Sequence, residues 1–188
     1  MRSFLAEIFR VFFKSNFLKK RHYGIHKRIF APLRLFRGVI KTIDYKELLL
    51  ELHIEDWIQE NIYFLGDYEE PEQIALKRFL RPGDVFIDVG ANCGLYSLTI
   101  SKLVKEKGTI ISFEPFSQNY TALQRNISLN IIKNIRTEKM AVGESDGIID
   151  LYYDTSERNL GMVSTHRLEK GLKEQVKIVS LDSYLTVN

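Results

Sequence analysis

The sequence predicts an α/β fold in which an open parallel sheet is connected by helices. Two observations support this prediction. From residue 84 onward, strand-like and helix-like patterns alternate, and the segment "DVFIDV" is apolar on both of its faces. Alternation at this spacing is typical of parallel strands joined by crossover helices, and a strand that is apolar on both faces is typical of a sheet interior. The 188 residues are enough for one ordinary domain with its own core.

The residues before this alternation predict a shorter lead-in. Apolar residues recur at every second position between Leu48 and Ile54, which indicates a half-buried strand. We expect this strand to be an antiparallel lead-in to the main sheet. Pro71 suits the first turn of a helix that runs to about Leu80, and the following Pro82-Gly83 pair ends that helix.

The α/β part is predicted to contain six elements and one further strand. Their bounds are strand Asp84–Val89, helix Leu95–Val104, strand Thr109–Glu114, helix Ser117–Asn130, strand Ile135–Val142 and an added strand Ile148–Tyr153. The apolar side chains of each helix fall on one face. The segment "EQVKIVSLDSYL" predicts one more strand close to Asn188.

Charge is distributed unevenly along the chain. The formal net charge is +3, but residues 1–40 hold ten Lys and Arg side chains against the single acid Glu7. The remainder is therefore acidic, with a net charge of about −6. A single cysteine, Cys93, gives no disulfide framework and no paired-thiol zinc site. We therefore expect no metal and a reducing, cytoplasmic location.

The first 40 residues are predicted to form a basic, partly amphipathic arm. Leu5, Ile8 and Phe12 recur at helical spacing among basic residues, in an apolar run too short to span a bilayer. One interpretation is a helix that packs on its own domain, and another is peripheral contact of residues 1–37 with a membrane surface. Nucleic-acid binding is not expected, because the basic residues occur without a recognisable readout module.

These patterns divide the chain into three segments. The arm covers residues 1–40, a lead-in hairpin and helix cover residues 41–82, and the α/β part covers residues 83–188. The third segment carries the functional signals, because it contains the turn between the first α/β strand and its helix.

That turn predicts a nucleotide-type cofactor site. In "FIDVGANCGLYSL", Asp88 lies at the strand end, and Gly90, Asn92 and Gly94 belong to the turn. Glycine permits positive φ and close ligand approach, and a helix N-terminus offers free N–H groups. In an open parallel sheet, the ligand lies beyond the carboxyl ends of the strands. Asp88 is placed there to accept a hydrogen bond from an ammonium group.

The next acidic residue along the chain, Glu114, reduces the number of possible cofactors but does not identify one. The turn lacks the middle glycine of the dinucleotide fingerprint. Glu114 ends the second strand, 20 residues after Gly94, where it can accept hydrogen bonds from both ribose hydroxyls of an adenosine. An acid there is common to two cofactor classes, so an NAD-dependent oxidoreductase stays open as an alternative. Asp88 and Asn92 also have a plainer interpretation as residues that brace the loop.

These segments resemble the FkbM family of S-adenosylmethionine-dependent methyltransferases, which have the class I, Rossmann-like methyltransferase fold. The resemblance lies in "FIDVGANCGLYSL", "ISFEPFSQNYTALQRNISLN" and "AVGESDGIIDLYY" and covers about residues 60–185. It implies S-adenosylmethionine as cofactor and O-methylation of a sugar, polysaccharide-precursor or secondary-metabolite hydroxyl. It also implies further strands, so we expect a chain truncated before its C-terminal strands, with the catalytic base in the missing segment.

The resemblance also assigns site residues. It implies a methionine-side loop of Asp88, Gly90, Asn92 and Gly94, a ribose acceptor at Glu114, and an adenine wall around Met140 and Ala141. Asn159, Gly161 and Ser164 are weaker candidates, and His166 falls in the same region. No catalytic residue is assigned. A third hypothesis is a non-catalytic module in which the loop is only structural and the basic arm does the binding.

Overall fold

The computed structural model describes residues 1–153, 163–166 and 171–187. These residues form two compact units, one of residues 1–70 and one of the described residues from 71 onward. The predicted arm therefore shares its unit with the hairpin that follows it, while the three-segment division of the sequence stays a prediction. No helix in the described ranges is both long and apolar enough to cross a membrane.

The first unit combines short helices with an antiparallel hairpin. Its elements are α1 (Arg2–Phe12), α2 (Asn16–Lys19), α3 (His22–Ile25), a π-helical turn (His26–Phe30), β1 (Ile40–Tyr45), β2 (Leu48–His53) and α4 (Trp57–Leu65). Asp56 caps α4 by accepting a hydrogen bond from the backbone N–H of Gln59 (3.0 Å). Gly66 ends α4 in the left-handed conformation.

An aromatic cluster forms the core of this unit. Neighbouring rings among its members have centroids 4.8–6.4 Å apart, and the members are Phe9, Phe13, Phe30, Phe36 and Phe64. Four of the five come from the basic arm, and the fifth comes from α4. The arm therefore packs into its own unit, as the first interpretation of its helical pattern expected.

A buried carboxylate joins the arm to α4. Both oxygens of Glu60 lie 2.9 Å from His26 Nδ1. His22 Nε2 lies 2.9 Å from Glu60 Oε1, although the ring is not aligned for a hydrogen bond. His22 and Glu60 are buried, and both imidazole rings contact Trp57. Removing one partner of such a group leaves the other poorly solvated, so the histidines and Glu60 depend on one another.

The hairpin of the first unit is a separate two-stranded sheet. Residues 40–45 pair with residues 48–53 in antiparallel register. The predicted alternation is confirmed, since Leu50, Leu52 and Ile54 are buried. The expected lead-in to the main sheet is wrong, because among the described residues β1 and β2 pair with each other alone. Alternation defines the buried face of a strand but not its pairing partner.

The second unit contains the predicted parallel sheet. Helix α5 (Glu70–Phe79) leads to β3 (Val85–Val89), α6 (Leu95–Val104), β4 (Thr109–Phe113), α7 (Ser117–Leu129) and β5 (Ile135–Glu138). The strands are parallel in the order β3-β4-β5, with Val85 opposite Thr109 and Ile110 opposite Ile135. The α/β class, the open parallel sheet and the alternation of strand and helix are therefore confirmed.

The core of this sheet lies between α6 and the strands. Ile100 and Val104 of α6 are buried together with Ile110 of β4, and the half-buried Phe86 of β3 packs against them. Leu76 of α5 also packs on this cluster. The apolar face predicted for α6 is therefore the face that contacts the sheet.

The residues after β5 form a second three-stranded sheet. It consists of β6 (Met140–Val142), β7 (Gly147–Tyr153) and β8 (Leu172–Val179), and α8 (Leu181–Val187) follows. β8 is the middle strand, parallel to β6 and antiparallel to β7. The segment "SLDSYL" therefore does not extend the last strand, because its residues from Leu181 are helical.

The predicted single strand from Ile135 to Val142 is wrong. The chain pairs with β4 up to Glu138 and with β8 from Met140. Lys139 lies between the two strands, exposed, with its Nζ 3.2 Å from Glu174 Oε1. The residues on both sides of Lys139 favour strand structure. The sequence therefore does not indicate that the pairing strand changes from β4 to β8, because the pattern of a strand is the same whichever strand it pairs with.

Strand β3 is the edge of its sheet among the described residues. Val85 is 62% exposed and Val89 is 54% exposed, although the strand has the apolar pattern of a sheet interior. Within the described residues, β3 therefore presents an open edge with exposed apolar side chains.

Candidate functional site

Three acidic residues lie at the carboxyl ends of the parallel strands. Asp88 is near the end of β3, Glu114 follows the last residue of β4, and Glu138 ends β5. Strand register brings these ends to one edge, because Val89 pairs with Phe113 and Phe113 pairs with Glu138. The backbone N–H of Glu114 also donates to the Glu138 carbonyl (3.0 Å). The edge at which open parallel sheets bind ligands is therefore acidic here.

The loop of residues 90–94 is tied to the end of β4. The backbone N–H groups of Gly90 and Ala91 both donate to the Phe113 carbonyl, at 2.9 and 3.0 Å. The next N–H, that of Asn92, donates to Glu114 Oε2 (2.8 Å). Two features that the sequence indicates separately, the glycine loop and the acid after the second strand, are therefore in direct contact.

The two glycines of the loop have different surroundings. Both have positive φ, +81° at Gly90 and +90° at Gly94, which side-chain-bearing residues rarely adopt. A Cβ atom on Gly90 would meet nothing within 4 Å, whereas one on Gly94 would lie 2.6 Å from Leu123 Cδ1 and 2.7 Å from Leu98 Cδ1. Gly90 therefore leaves open space beside the backbone, and Gly94 allows α6 and α7 to pack closely.

Polar side chains hold the middle of the loop. Asn92 has φ +51°, and its Oδ1 accepts a hydrogen bond from the Cys93 N–H (2.7 Å), so it makes the bracing contact of its plainer interpretation. Asn126 of α7 is buried and donates through Nδ2 to the Cys93 carbonyl (2.8 Å). The sequence interpretation missed Asn126, and the available signal was a polar residue on the buried face of α7.

Asp88 is buried and held by α6. Its Oδ2 accepts a hydrogen bond from the Ser97 hydroxyl (2.5 Å), which in turn lies 2.7 Å from the Ser112 hydroxyl. Burial raises the pKa of the Asp88 carboxyl, and hydrogen bonds from Ser97 offset part of that rise. A cationic group bound nearby would favour the ionised carboxylate.

Glu114 is buried and already bonded to the surrounding chain. Its Oε1 accepts from the Phe116 N–H (3.0 Å) and its Oε2 from the Asn92 N–H (2.8 Å). Burial raises its pKa, whereas these two bonds and a third from the Asn119 side chain act in the opposite direction. A carboxylate has about four acceptor positions, so about one is left for a ligand. Accepting from two ribose hydroxyls therefore requires a present donor to move.

The sequence interpretation also missed Glu138 and its partners. Glu138 Oε1 accepts hydrogen bonds from the Tyr184 hydroxyl (2.7 Å) and from Arg136 Nε (2.6 Å). Burial, together with the bond to Glu138, raises the pKa of Tyr184 to about 12. The Tyr184 ring packs edge-on against Phe113, with centroids 4.9 Å apart. The available signal was an acid at the end of the third strand, but nothing in the sequence points to a tyrosine 46 residues later.

Met140 and Ala141, the predicted adenine wall, lie in β6. Both are half-buried, and Met140 lines a cleft together with Glu138 and Tyr184. Because β6 pairs with β8, the expectation that these two residues end the third strand of the parallel sheet is wrong. They belong to the second sheet, beginning two residues beyond Glu138.

The weaker candidates give little further support to the site. Asn159 and Gly161 lie outside the described residues. Ser164 pairs with Tyr152 of β7 through two backbone hydrogen bonds of 2.7 and 2.9 Å, and its hydroxyl accepts from the His166 N–H (3.0 Å). Within the described ranges, no group of three or more His, Cys, Asp or Glu side chains is arranged to hold a metal ion.

Comparison with known proteins gives structural likeness alone. No family model and no curated protein matches the sequence. The methyltransferase FkbM from Methylobacillus flagellatus KT is 16% identical, with a TM-score of 0.36 over 87% of this chain and 40% of the other. A SAM-dependent methyltransferase from Aquifex aeolicus is 26% identical, with a TM-score of 0.34 over 37% of each chain. TYW2 from M. jannaschii, in complex with AdoMet, is 23% identical, with a TM-score of 0.41 over 52% of this chain and 42% of the other.

The chain spans less than half the length of each of these three proteins. At TM-scores of this size, the likeness does not identify a substrate or a reaction.

Proposed function

We propose that the second unit binds S-adenosylmethionine and that the protein is an S-adenosylmethionine-dependent methyltransferase. The observation that carries the proposal is the hydrogen bond from the Asn92 N–H to Glu114. This bond joins the glycine loop to the acid of the second strand, so that a ligand at the loop also lies beside that acid. A methionine part and an adenosine part of one ligand would then be held by adjoining residues.

The charge of this edge supports a cationic ligand. Asp88 and Glu114 are buried carboxyl groups, and Glu138 lies at the same edge. S-adenosylmethionine carries a sulfonium and an ammonium group, either of which compensates a buried carboxylate. A nicotinamide dinucleotide would instead place its pyrophosphate at the loop, near Asp88, where like charges repel. The acidic edge therefore favours S-adenosylmethionine over NAD.

Each predicted site residue has a role in this proposal. The open space beside Gly90 admits the methionine part, and Asp88 accepts a hydrogen bond from its ammonium group. Glu114 accepts from the ribose after one of its present donors moves. Asn92 and Gly94 are proposed to shape the loop. Met140 and Ala141 are proposed to form the wall that contacts the adenine ring. When bound, the cofactor supplies an activated methyl group, and the residues around it serve to orient that group toward an acceptor.

The acceptor that we propose is a hydroxyl group on a sugar, a polysaccharide precursor or a secondary metabolite, as the FkbM resemblance implies. A hydroxyl acceptor needs a base to take up its proton while the oxygen attacks the methyl group. We assign no residue to that step. We also propose that the protein acts in the cytoplasm, since its one thiol gives no disulfide framework.

Calorimetry with S-adenosylhomocysteine tests the cofactor assignment. Glu114→Ala should weaken binding by about 1.5–3 kcal/mol, roughly 10- to 150-fold, because it removes a charged acceptor. Glu114→Gln keeps one acceptor oxygen and should lose less. Glu106→Gln, at an exposed acid beyond the end of α6, is the matched control and should bind as the wild type does. Wild-type affinity in a folded Glu114→Ala variant would contradict the assignment.

The same titration distinguishes the alternatives. Binding of NADH, detected by a change in its fluorescence, without binding of S-adenosylhomocysteine would favour an oxidoreductase. Failure of the folded chain to bind either adenosine ligand would favour a non-catalytic module in which the loop is structural. Circular dichroism on each variant shows whether the fold is retained, so that loss of binding is not confused with loss of structure.

A further inference from the structure

Helix α1 has two apolar faces, and the first unit buries one of them. At 100° of rotation per residue, Ala6 and Phe13, which directly follows the helix, lie on one side, and both are buried. Phe4, Val11 and Phe12 lie on the other side, where they are 68%, 64% and 55% exposed. A surface helix of a soluble protein needs one apolar face, so the exposed stripe of Phe4, Val11 and Phe12 requires a separate explanation.

Exposed apolar side chains continue beyond α1 within the same unit. Phe17, Tyr23 and Leu33 are 62%, 63% and 66% exposed. Single exposed apolar residues are common, but an accumulation of them indicates an interaction site. With Met1 and Ile29, eight large apolar side chains are exposed within the first 33 residues.

The same segment is strongly basic. Residues 1–40 carry ten Lys and Arg side chains, and their single acid, Glu7, is paired with Lys41 (2.5 Å). Lys14, Lys20 and Lys27 are exposed. Exposed cations therefore accompany the exposed apolar stripe along the chain, whereas the one anion is compensated.

We propose that the first unit docks on an anionic lipid surface, with Phe4, Val11 and Phe12 inserted among the acyl chains. The basic side chains are then attracted by the negative headgroups, whose potential is complementary to the charge of this segment. Interfacial helices bind in this way, by burying an apolar face at the boundary of headgroups and acyl chains. Because α1 packs on the aromatic core through its other face, docking leaves the fold of the unit unchanged.

Two other occupants fit the surface less well. Nucleic acid would be attracted by the positive charge, but the aliphatic side chains of Val11 and Leu33 cannot stack on bases as aromatic rings do. A second copy of the chain would bring a basic segment against an identical basic segment, and like charges at short range repel. An anionic lipid surface buries the apolar stripe and also compensates the positive charge of the basic segment.

Co-sedimentation of the full chain with vesicles tests the proposal. The probes are vesicles of phosphatidylcholine with and without phosphatidylserine. We expect binding to the anionic vesicles that falls steeply between about 0.05 and 0.5 M salt, because screening lengths shrink over that range. The double substitution Phe4→Ser with Phe12→Ser should weaken binding about tenfold or more, since two apolar side chains no longer enter the acyl region.

Matched controls separate a docking role from general effects. Phe79→Ser removes a phenylalanine that is 79% exposed in the second unit and should leave vesicle binding unchanged. Lys14→Glu with Lys20→Glu should weaken binding to anionic vesicles, whereas Lys107→Glu, at an exposed site of the second unit, should have little effect. All of these side chains are exposed, so the thermal midpoints should stay close to that of the wild type.

Three results would overturn the proposal. The first is wild-type vesicle binding by the variant that combines Phe4→Ser and Phe12→Ser. The second is absence of vesicle binding together with salt-sensitive binding of poly(U), which would indicate nucleic acid. The third is absence of vesicle binding together with a concentration-dependent dimer, seen by analytical ultracentrifugation, that this variant loses, which would indicate a second copy.

Discussion

Replacing Gly94 with alanine should destabilise the second unit more than the same change at Gly90. Both positions have positive φ, which costs an alanine about 1–2 kcal/mol. At Gly94 the new Cβ also lies 2.6 and 2.7 Å from methyl groups of Leu123 and Leu98. Both leucines are fully buried, and overpacking of this kind costs about 1–3 kcal/mol more. We therefore expect losses of about 2–5 kcal/mol for Gly94→Ala and about 1–2 kcal/mol for Gly90→Ala.

The measurement must report on the second unit. The single tryptophan, Trp57, lies in α4 of the first unit, so its fluorescence does not follow the elements around Gly94. Amide hydrogen exchange in α6 and α7 gives the free energy of opening where the two variants differ. Equal destabilisation by the two substitutions, or a larger effect at Gly90, would refute the conclusion that Gly94 is required by helix packing.

Two further predictions concern Asp88 and the edge strand. Burial raises the pKa of folded Asp88, so its contribution to stability is full below the ordinary value of 3.8 and is lost as pH rises through the raised pKa. The thermal midpoint of Asp88→Asn, relative to the wild type, should therefore increase between about pH 3.5 and pH 7, and a constant difference would contradict burial as the cause. The wild type should self-associate through the edge of β3 in light scattering, and Val85→Lys should suppress this, because a charge on an edge strand opposes pairing. Ile131→Lys, at a residue 82% exposed outside the strands, is its control, and a monodisperse wild type would contradict edge pairing.

The apolar spacing within single segments correctly predicted helices and strands of the parallel sheet. The helix predicted over Leu95–Val104 has the same bounds in the structure, and the first two strands of the parallel sheet differ by a single residue. In these segments the apolar spacing matches the period of a helix or of a strand. The residues within each segment are therefore enough to predict its type and its bounds. The position of the glycine loop beyond the carboxyl ends of the strands was likewise expected from the topology of parallel sheets.

Features that depend on distant partners were not predictable in this way. Glu138 meets Tyr184, and Cys93 meets Asn126, only because the fold brings together residues 46 and 33 positions apart. Gly94 was predicted as part of the ligand loop, and its additional role in helix packing was not predicted, since glycine is equally suited to a ligand approach and to close helix packing. The two leucines that distinguish these roles become visible once α6 and α7 are placed side by side.

The contacts of Glu60 with His22 and His26 constrain how this protein can evolve. A buried polar group that loses its partner costs about 1–3 kcal/mol, a notable share of the about 5–15 kcal/mol that stabilises a typical domain. A lineage that shortens or replaces the basic segment is therefore expected to change Glu60 as well, or to pass through a less stable intermediate. The three positions are therefore expected to change together, because each contributes to the same contact between the basic segment and α4.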